Sequence, residues 1–301
     1  MRNFKDKLKA YLELLRIHNV ITALLTTLIG WLTVRVEIST LPSISLIVPL
    51  LAVGLVSSAG YVINDYFDVE VDKVNKPYRP IPSGRVSPKE ALYLTLALIV
   101  VGVAPSVAVG VFTAAFVIVN TMLVILYSYR IKELGFIGNV VVSLEGAFTI
   151  ILGALTPSEL IKDLSYVRFS AIPAIYAFTL LLAREIIKTI EDMRADEVRN
   201  VKSLPRVIGV SKSSIVAFSL QLFIVCISFV PFLVGYGYLY LALALITDVL
   251  LIYSAINTLK LKRINNPELM ASRLRGVLKL AIFTGTTAFA ADLLYRLALT
   301  S

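Results

Sequence analysis

An all-α, polytopic membrane protein with nine transmembrane helices is expected from this 301-residue chain, on three observations. Hydrophobic residues make up 57% of it and charged residues 16%, against roughly 45–50% and about 25% in soluble domains. The apolar residues run in long blocks rather than in the one-sided stripes of soluble helices. The charges collect in short segments between those blocks.

Taken in order, helix 1 is expected at 18–35, helix 2 at 43–66 and helix 3 at 89–107, with Pro105 near its end. Helix 4 follows at 110–128, helix 5 at 137–156 and helix 6 at 169–192. Helices 7, 8 and 9 are placed at 213–234, 237–257 and 276–297. Each is close to the roughly 20 residues that cross about 30 Å of hydrocarbon. Helices 3 and 4 are parted only by the short run VGVAPSVAVGVF. The first 17 residues, MRNFKDKLKAYLELLRI, are basic and amphipathic and read as a helix along the membrane surface. No small-residue cleavage site follows the first apolar block, so no removed signal peptide is expected.

The charges assign sides. The N-terminus and segments 67–88, 129–136, 193–212 and 258–275, with their flanks, hold 25 of the 29 Lys and Arg residues. Arg35, Lys162, Arg168 and Arg296 fall on the other side. By the positive-inside rule the first side is cytoplasmic, which leaves the C-terminus outside. The net charge of +9 therefore reads as a topology signal, not as a nucleic-acid footprint. Cys226 is the single cysteine, so no intramolecular disulfide forms. No linker interrupts the chain, and residues 1–301 read as one domain without an obligate protein partner. Helices 2 and 6 each run into a polar loop that opens with an Asp cluster, a faint four-plus-four repeat with helix 9 added.

The first cluster is NDYFDVEVD (64–72). At 100° per residue Asp65, Asp68 and Asp72 share about 60° of arc, Asn64 adjoins them, and Glu70 points elsewhere. Like charges on one helix face repel unless a cation sits among them. Hard oxygens select magnesium or calcium, and magnesium takes one or two carboxylates with phosphates and water. A solvated acidic helix end is the plainer alternative. The adjoining KPYRPIPSGRVS (76–87) carries Lys76, Arg79 and Arg85, stiffening prolines and a Ser83-Gly84 turn. Arg79 could grip phosphate bidentately, or the loop could simply be a positive-inside segment.

The second cluster is REIIKTIEDMRADEVRN (184–200). Arg184, Lys188, Asp192 and Asp196 follow an i, i+4 row, with Glu185 and Glu191 flanking it. Such a stripe could hold a metal-bound anion or be a salt-bridge ladder. Arg194, Arg199, Lys202 and Arg206 follow, as phosphate binders or topology determinants. Glu145 and Asp248 are carboxylates inside spans, which are functional suspects by default. Asn139 either caps helix 5 or reaches the site. Arg16 and Asn19 flank His18, the sole histidine, which reads as structural. Asp292 and Arg296 are spaced to pair.

These motifs resemble those of the UbiA-type intramembrane prenyltransferase family. NDYFDVEVD resembles its NDxxDxxxD motif, Asp192 and Asp196 its second motif, and YSYRIKELGFIGN (127–139) its Tyr/Lys region. The resemblance spans essentially the whole chain. It implies a helical bundle around a central cavity, with two magnesium ions holding the pyrophosphate of an allylic prenyl donor. Carried over, Asn64, Asp65, Asp68 and Asp72 form one site and Asp192 and Asp196 the other. Arg79, Lys132 and Lys188 contact pyrophosphate, and Tyr127 marks the motif. The Tyr127-to-Lys132 spacing is five where the family often has four, so Arg130 is the alternative to Lys132. Asp68, Asp192 and Lys132 become the catalytic candidates. Arg16, Asn19, Asn139, Glu145 and Arg184 join the substrate-binding candidates.

The two clusters are similar to the family's archaeal ether-lipid branch, which transfers a geranylgeranyl group to geranylgeranylglyceryl phosphate. Aromatic acceptors such as 4-hydroxybenzoate or a menaquinone precursor stay open. A secondary transporter is the competing class, but it should carry its charges near the bilayer midplane.

Overall fold

The computed structural model describes residues 4–34, 41–198, 200–264 and 266–300, and among them every regular element is helical. Arg35 and Arg199 lie outside the described residues. Two short helices, α1 (Phe4–Leu15) and α2 (Ile17–Leu32), lead into α3 (Ile44–Phe67) and α4 (Val69–Asn75). Then come α5 (Pro88–Val107), α6 (Val111–Tyr129) and α7 (Phe136–Leu160). The remainder is α8 (Ala171–Glu191), α9 (Met193–Val198), α10 (Leu204–Ile227), α11 (Val230–Leu233), α12 (Tyr238–Lys260) and α13 (Pro267–Thr300).

Among the described residues, eight helical segments are long and apolar enough to cross a membrane. A ninth results when α1 and α2, bent by 46°, count as one span. The chain is a multi-pass membrane protein. Its outer faces carry the residues expected against lipid, such as Val100, Val101, Met122, Val249 and Phe283, all exposed. Two helices start well before the expected spans: α10 at Leu204 rather than 213, and α13 at Pro267 rather than 276. Hydropathy detects only the lipid-buried length of a helix, whereas these two continue as polar turns. Gly209 kinks α10 within that extension (φ 82°, ψ 157°), a conformation costly to any residue with a Cβ.

The helices form two compact units, Met1–Arg130 with Ile151–Arg168, and Ile131–Ile150 with Phe169–Ser301. In the first unit α3 is central, packed against α1, α2, α5 and α6. Small buried residues on it, Ala52, Ser58 and Ala59, admit close helix approach, as suits packing without a hydrophobic driving force in lipid. The amphipathic segment does more than lie on a surface. Ala10 and Leu14 of α1 are fully buried against Val62, Ile81, Val86 and Ala91, while Leu8 and Leu12, one turn apart, are exposed. Ion pairs Lys7–Glu90 and Glu13–Arg85, both 2.6 Å, clamp α1 down.

In the second unit α8, α10, α12 and α13 pack mutually around Ile186, Ile187, Leu251, Leu274 and Leu278. Asp248, which has no partner legible in sequence, accepts a 2.7 Å hydrogen bond from Ser228 Oγ. Asp292 accepts from the Gly237 and Tyr240 backbone N–H groups at the start of α12 and pairs with Arg296 at 2.8 Å. The Asp292–Arg296 expectation therefore holds. Glu159 does the same in the first unit, accepting from Phe112 N and Thr113 N at the start of α6. Both carboxylates satisfy N–H groups that a helix start leaves without intrahelical partners.

Candidate active site

The first motif straddles a helix end. α3 stops at Phe67, Asp68 takes φ −88° and ψ 4°, and α4 resumes at Val69. The break is slight, since Asp68 N donates to Asn64 O and Asp72 N to Asp68 O. Asp65 and Asp72 keep the common face that their spacing predicts, since one arginine reaches both, while the Asp68 carboxylate accepts from Asn64 Nδ2. Asp65 and Asp72 are buried at 3% exposure each. Glu70 faces outward and pairs with Lys73.

Carboxylates this buried require a counter-charge, and two arginines provide it. Arg79 Nη1 lies 2.6 Å from Asp72 Oδ2 and 3.1 Å from Asp65 Oδ1, bridging them. Arg16 Nη2 reaches the same Asp65 oxygen at 2.6 Å. The cation demanded by like-charge repulsion is therefore available within the chain. Arg79, read above as a hand for phosphate, is bound to the motif itself. Arg16 holds its place through a backbone that non-glycine residues seldom adopt, φ 48° and ψ 52°, and its guanidinium lies 5.2 Å from the Tyr61 ring centroid. Asn19 follows in the first turn of α2, its N–H on the Arg16 carbonyl.

These side chains face a cavity of about 480 Å³ lined by Glu13, Arg16, Asp65, Tyr78, Arg79, Pro80 and Arg85. Arg85 closes one wall. It pairs with Glu13, donates from Nη2 to Tyr78 O at 2.6 Å, and from Nε to Ser83 Oγ at 3.1 Å. Glu13 carries no motif that would have singled it out, whereas Tyr78 lies within the 76–87 segment beside Arg79. Only the docking of α1 brings Glu13 here.

In the second motif the long helix α8 ends at Glu191 and Asp192 takes φ −85°, ψ 4°. Asp196 follows one turn on, in α9. The expected stripe of cations leading to aspartates is not what forms. Arg184 Nη1 and Lys188 Nζ both turn to Glu185, at 2.6 and 3.3 Å. Glu185 is 7% exposed, so it is the carboxylate most in need of charge, and it is nearer in sequence. Glu191 pairs with Arg275 and Arg194 with Glu268. Arg206 ties down the loop by donating to the Asp196 and Val201 carbonyls, a structural duty. No described residue pairs with the Asp192 carboxylate, which is half-buried.

Of the region between, Tyr127 and Arg130 end α6 in the first unit, and Lys132 sits in a 3-10 turn of the second (Ile131–Leu134). Gly135 fixes that turn. It has φ +63°, and a Cβ there would stand 2.0 Å from Lys202 O. Asn139 is buried, with Nδ2 unbonded among the described residues, and so is one oxygen of Glu145, two turns further along α7. His18 is exposed.

Among the described residues, no three His, Cys, Asp or Glu side chains converge as a ready-made metal cage. The donors at the first motif are carboxylate oxygens and the Asn64 amide, whose Nδ2 donates to Asp68 Oδ2 at 3.1 Å. Hard oxygens in short supply suit magnesium, which completes its shell with phosphate and water. They do not suit a soft metal.

The sequence pattern described as the UbiA prenyltransferase family matches residues 23–284. A digeranylgeranylglyceryl phosphate synthase of Saccharolobus solfataricus is 38% identical over 282 residues, 94% of this chain and 96% of that protein. The solved structure of a digeranylgeranylglyceryl phosphate synthase superposes with TM-score 0.75 at 30% identity, covering 96% of this chain and 99% of that one. A UbiA homologue of Archaeoglobus fulgidus bound to GPP and Mg2+ shares the fold at TM-score 0.60 and 18% identity, over 93% and 99% of the two chains. The motifs, the membrane fold and the match along most of the chain agree: this protein belongs to the UbiA prenyltransferase family and is an enzyme of that family.

Proposed function

We propose that the chain transfers a geranylgeranyl group from geranylgeranyl pyrophosphate to geranylgeranylglyceryl phosphate, a step in archaeal ether-lipid synthesis. The observation that carries this reading is the high identity, over nearly the whole chain, to a synthase named for that product. The arginine-lined cavity beside the first Asp motif supports it, because both substrates are anions at one end and hydrocarbon at the other. The working side faces the cytoplasm on the charge argument, and the whole chain acts as one domain.

Magnesium, proposed at two ions, would be held by Asp65, Asp68 and Asp72 with Asn64, and by Asp192 and Asp196. Bound there, it would neutralise pyrophosphate and make it a better leaving group. The rest falls to the chain. Arg79, already beside Asp65 and Asp72, would meet pyrophosphate oxygens as metal takes over those carboxylates. Lys132 or Arg130 would add a second cation, and Lys188 a further one. Developing negative charge on the leaving group would be met by these cations once Arg79 and Lys188 exchange their carboxylate partners for pyrophosphate oxygens. The allylic carbon, left electron-poor as its bond to pyrophosphate breaks, is attacked by the acceptor's glyceryl hydroxyl oxygen, forming the ether bond, and the hydroxyl proton passes to the departing pyrophosphate. Asn139 and Glu145, with side-chain atoms unbonded among the described residues, are proposed contacts for that polar end. Arg184, Asn19 and Tyr127 complete the proposed set of substrate contacts. Burial of the prenyl tail in apolar surroundings contributes roughly 0.8 kcal/mol per CH₂.

The test is an acceptor panel. Purified protein with magnesium and geranylgeranyl pyrophosphate is given geranylgeranylglyceryl phosphate, 4-hydroxybenzoate or a menaquinone precursor. Product with the glyceryl phosphate alone is expected. Product only with an aromatic acceptor would reassign the enzyme, and none with any acceptor would refute the reading.

A further inference from the structure

Three arginines line the cavity of the first unit, and each is committed on one side only. Arg16 uses Nη2 on Asp65, Arg79 uses Nη1 on Asp65 and Asp72, and Arg85 uses Nη2 and Nε. The Nη1 group of Arg85, with two N–H donors, bonds nothing among the described residues. Glu13 and Asp65 in the lining and Asp72 beside it balance the three arginines, so what the cavity offers an anion is the open donor group of Arg85. Neither Asp68 nor Asp72 belongs to the lining. Asp65 and Arg79 are shared with the proposed magnesium and pyrophosphate site, so the part of the cavity open to a second anion is the end formed by Arg85, Glu13 and Tyr78. At about 480 Å³ the cavity lies within the roughly 300–1,000 Å³ of ligand pockets. α1 contributes Glu13 to it and turns Leu8 and Leu12 outward as a helix at the lipid interface does.

We infer that the Arg85 end of this cavity is the subsite for the phosphate monoester of the lipid acceptor, with Arg85 its dedicated anchor and Glu13 the counter-ion that yields when phosphate enters. The inference rests on the proposed function for the identity of the acceptor. A phosphate monoester carries about −1.5 to −2 charges near neutrality, more than Glu13 offers, and presents oxygens that match the guanidinium fork. Arg85 stays anchored by Ser83 and the Tyr78 carbonyl while it exchanges partners. Tyr78, 71% exposed at the mouth, is placed to meet the glyceryl end. Glu13 thereby sets affinity: it keeps Arg85 in position in the empty site and competes with the incoming phosphate.

Steady-state kinetics with each substrate varied, on Arg85→Gln and Glu13→Gln, test this. Arg85→Gln should raise the acceptor KM roughly tenfold or more, as loss of hydrogen bonds to a charged group does, and leave the donor KM within about twofold. Glu13→Gln should lower the acceptor KM. Were Arg85 only a structural partner of Glu13, the two variants would shift the acceptor KM in the same direction, and that result overturns the inference. An equal rise in the donor KM would reassign the cavity to pyrophosphate and also overturn it. A binding measurement without metal separates this inference from the activity. In EDTA, a short-chain alkylglyceryl phosphate should bind the wild-type protein saturably and bind Arg85→Gln at least about tenfold more weakly. Equal binding to both would refute the subsite even if turnover with geranylgeranylglyceryl phosphate is found. Arg85-dependent binding without such turnover would sustain the subsite and refute the assigned reaction.

Discussion

Asp68 and Asp192 occupy the same backbone position in two different helices. Each follows the last residue of a long membrane helix, at φ −88°, ψ 4° and φ −85°, ψ 4°. Each donates its N–H four residues back, to Asn64 and Lys188, and accepts from four residues ahead, Asp72 and Asp196. The sparsely populated region near φ −90°, ψ 0° is where many active-site residues sit. This shared break, together with the Glu159 and Asp292 caps on α6 and α12, turns the faint sequence repeat into a correspondence of local geometry.

The bridge made by Arg79 has a consequence for stability. Removing it in Arg79→Ala leaves Asp65 and Asp72 buried with Arg16 as the remaining cation. Breaking such a buried pair costs about 3–5 kcal/mol. Magnesium should recover part of that, so the rise in Tm on adding magnesium should be larger for Arg79→Ala than for wild type. Thermal unfolding in detergent, with and without magnesium, measures it. An equal rise in both would deny that metal and Arg79 share these carboxylates.

The caps should act on stability and not on substrate affinity. Asp292→Ala and Glu159→Ala each leave helix-start N–H groups unsatisfied, at a cost of about 1–2 kcal/mol. Both variants should lose Tm while keeping the KM of either substrate. A change in KM without a change in Tm would contradict this assignment.

Gly135→Ala should be damaging out of proportion to its size. The residue must hold φ +63° with a Cβ 2.0 Å from the Lys202 carbonyl. Left-handed backbone alone costs about 1–2 kcal/mol, and the overlap forces the Lys132 turn away from Lys202–Ser203. Lower Tm and loss of turnover are expected. Wild-type behaviour in both would show that the turn is not held as described.

Anchoring of α1 should depend on pH with a definite sign. The Arg85 hydrogen bond holds the Glu13 carboxyl below its ordinary value of 4.5. A depressed carboxylate contributes stability that is fully present above the unfolded value and lost as pH falls through the folded one. Amide exchange in residues 5–15 should therefore be as protected at pH 7 as at pH 5, after correction for intrinsic rates, and less protected toward pH 3. Protection that rises toward pH 3 would reverse the sign and refute the pairing.

The helices were legible because a bilayer imposes a length and an apolar composition on each span, and the expected 43–66 and 89–107 fall within a residue or so of α3 and α5. The shared face of Asp65 and Asp72 was legible because it depends only on the helical period. What local pattern does not encode is partnership across the chain. Arg85 meets Glu13, 72 positions away, only because Ala10 and Leu14 dock α1 on the 76–87 loop. Asp248 finds Ser228 across a helix pair. The regular spacing of Arg184 and Lys188 to Asp192 does not encode that the buried Glu185 carboxylate draws both cations to itself. The starts of α10 and α13 were missed because a polar helical turn and a polar loop share one composition.

The most direct measurement is magnesium-dependent pyrophosphate release from geranylgeranyl pyrophosphate, with geranylgeranylglyceryl phosphate present, in wild type, Asp68→Asn and Asp192→Asn. Wild type should release pyrophosphate only with magnesium. Each variant should fall by roughly 10²-fold or more with its Tm within a few degrees of wild type. Near-normal release by either folded variant, or release by wild type in EDTA, would contradict a reaction that depends on metal at both Asp motifs.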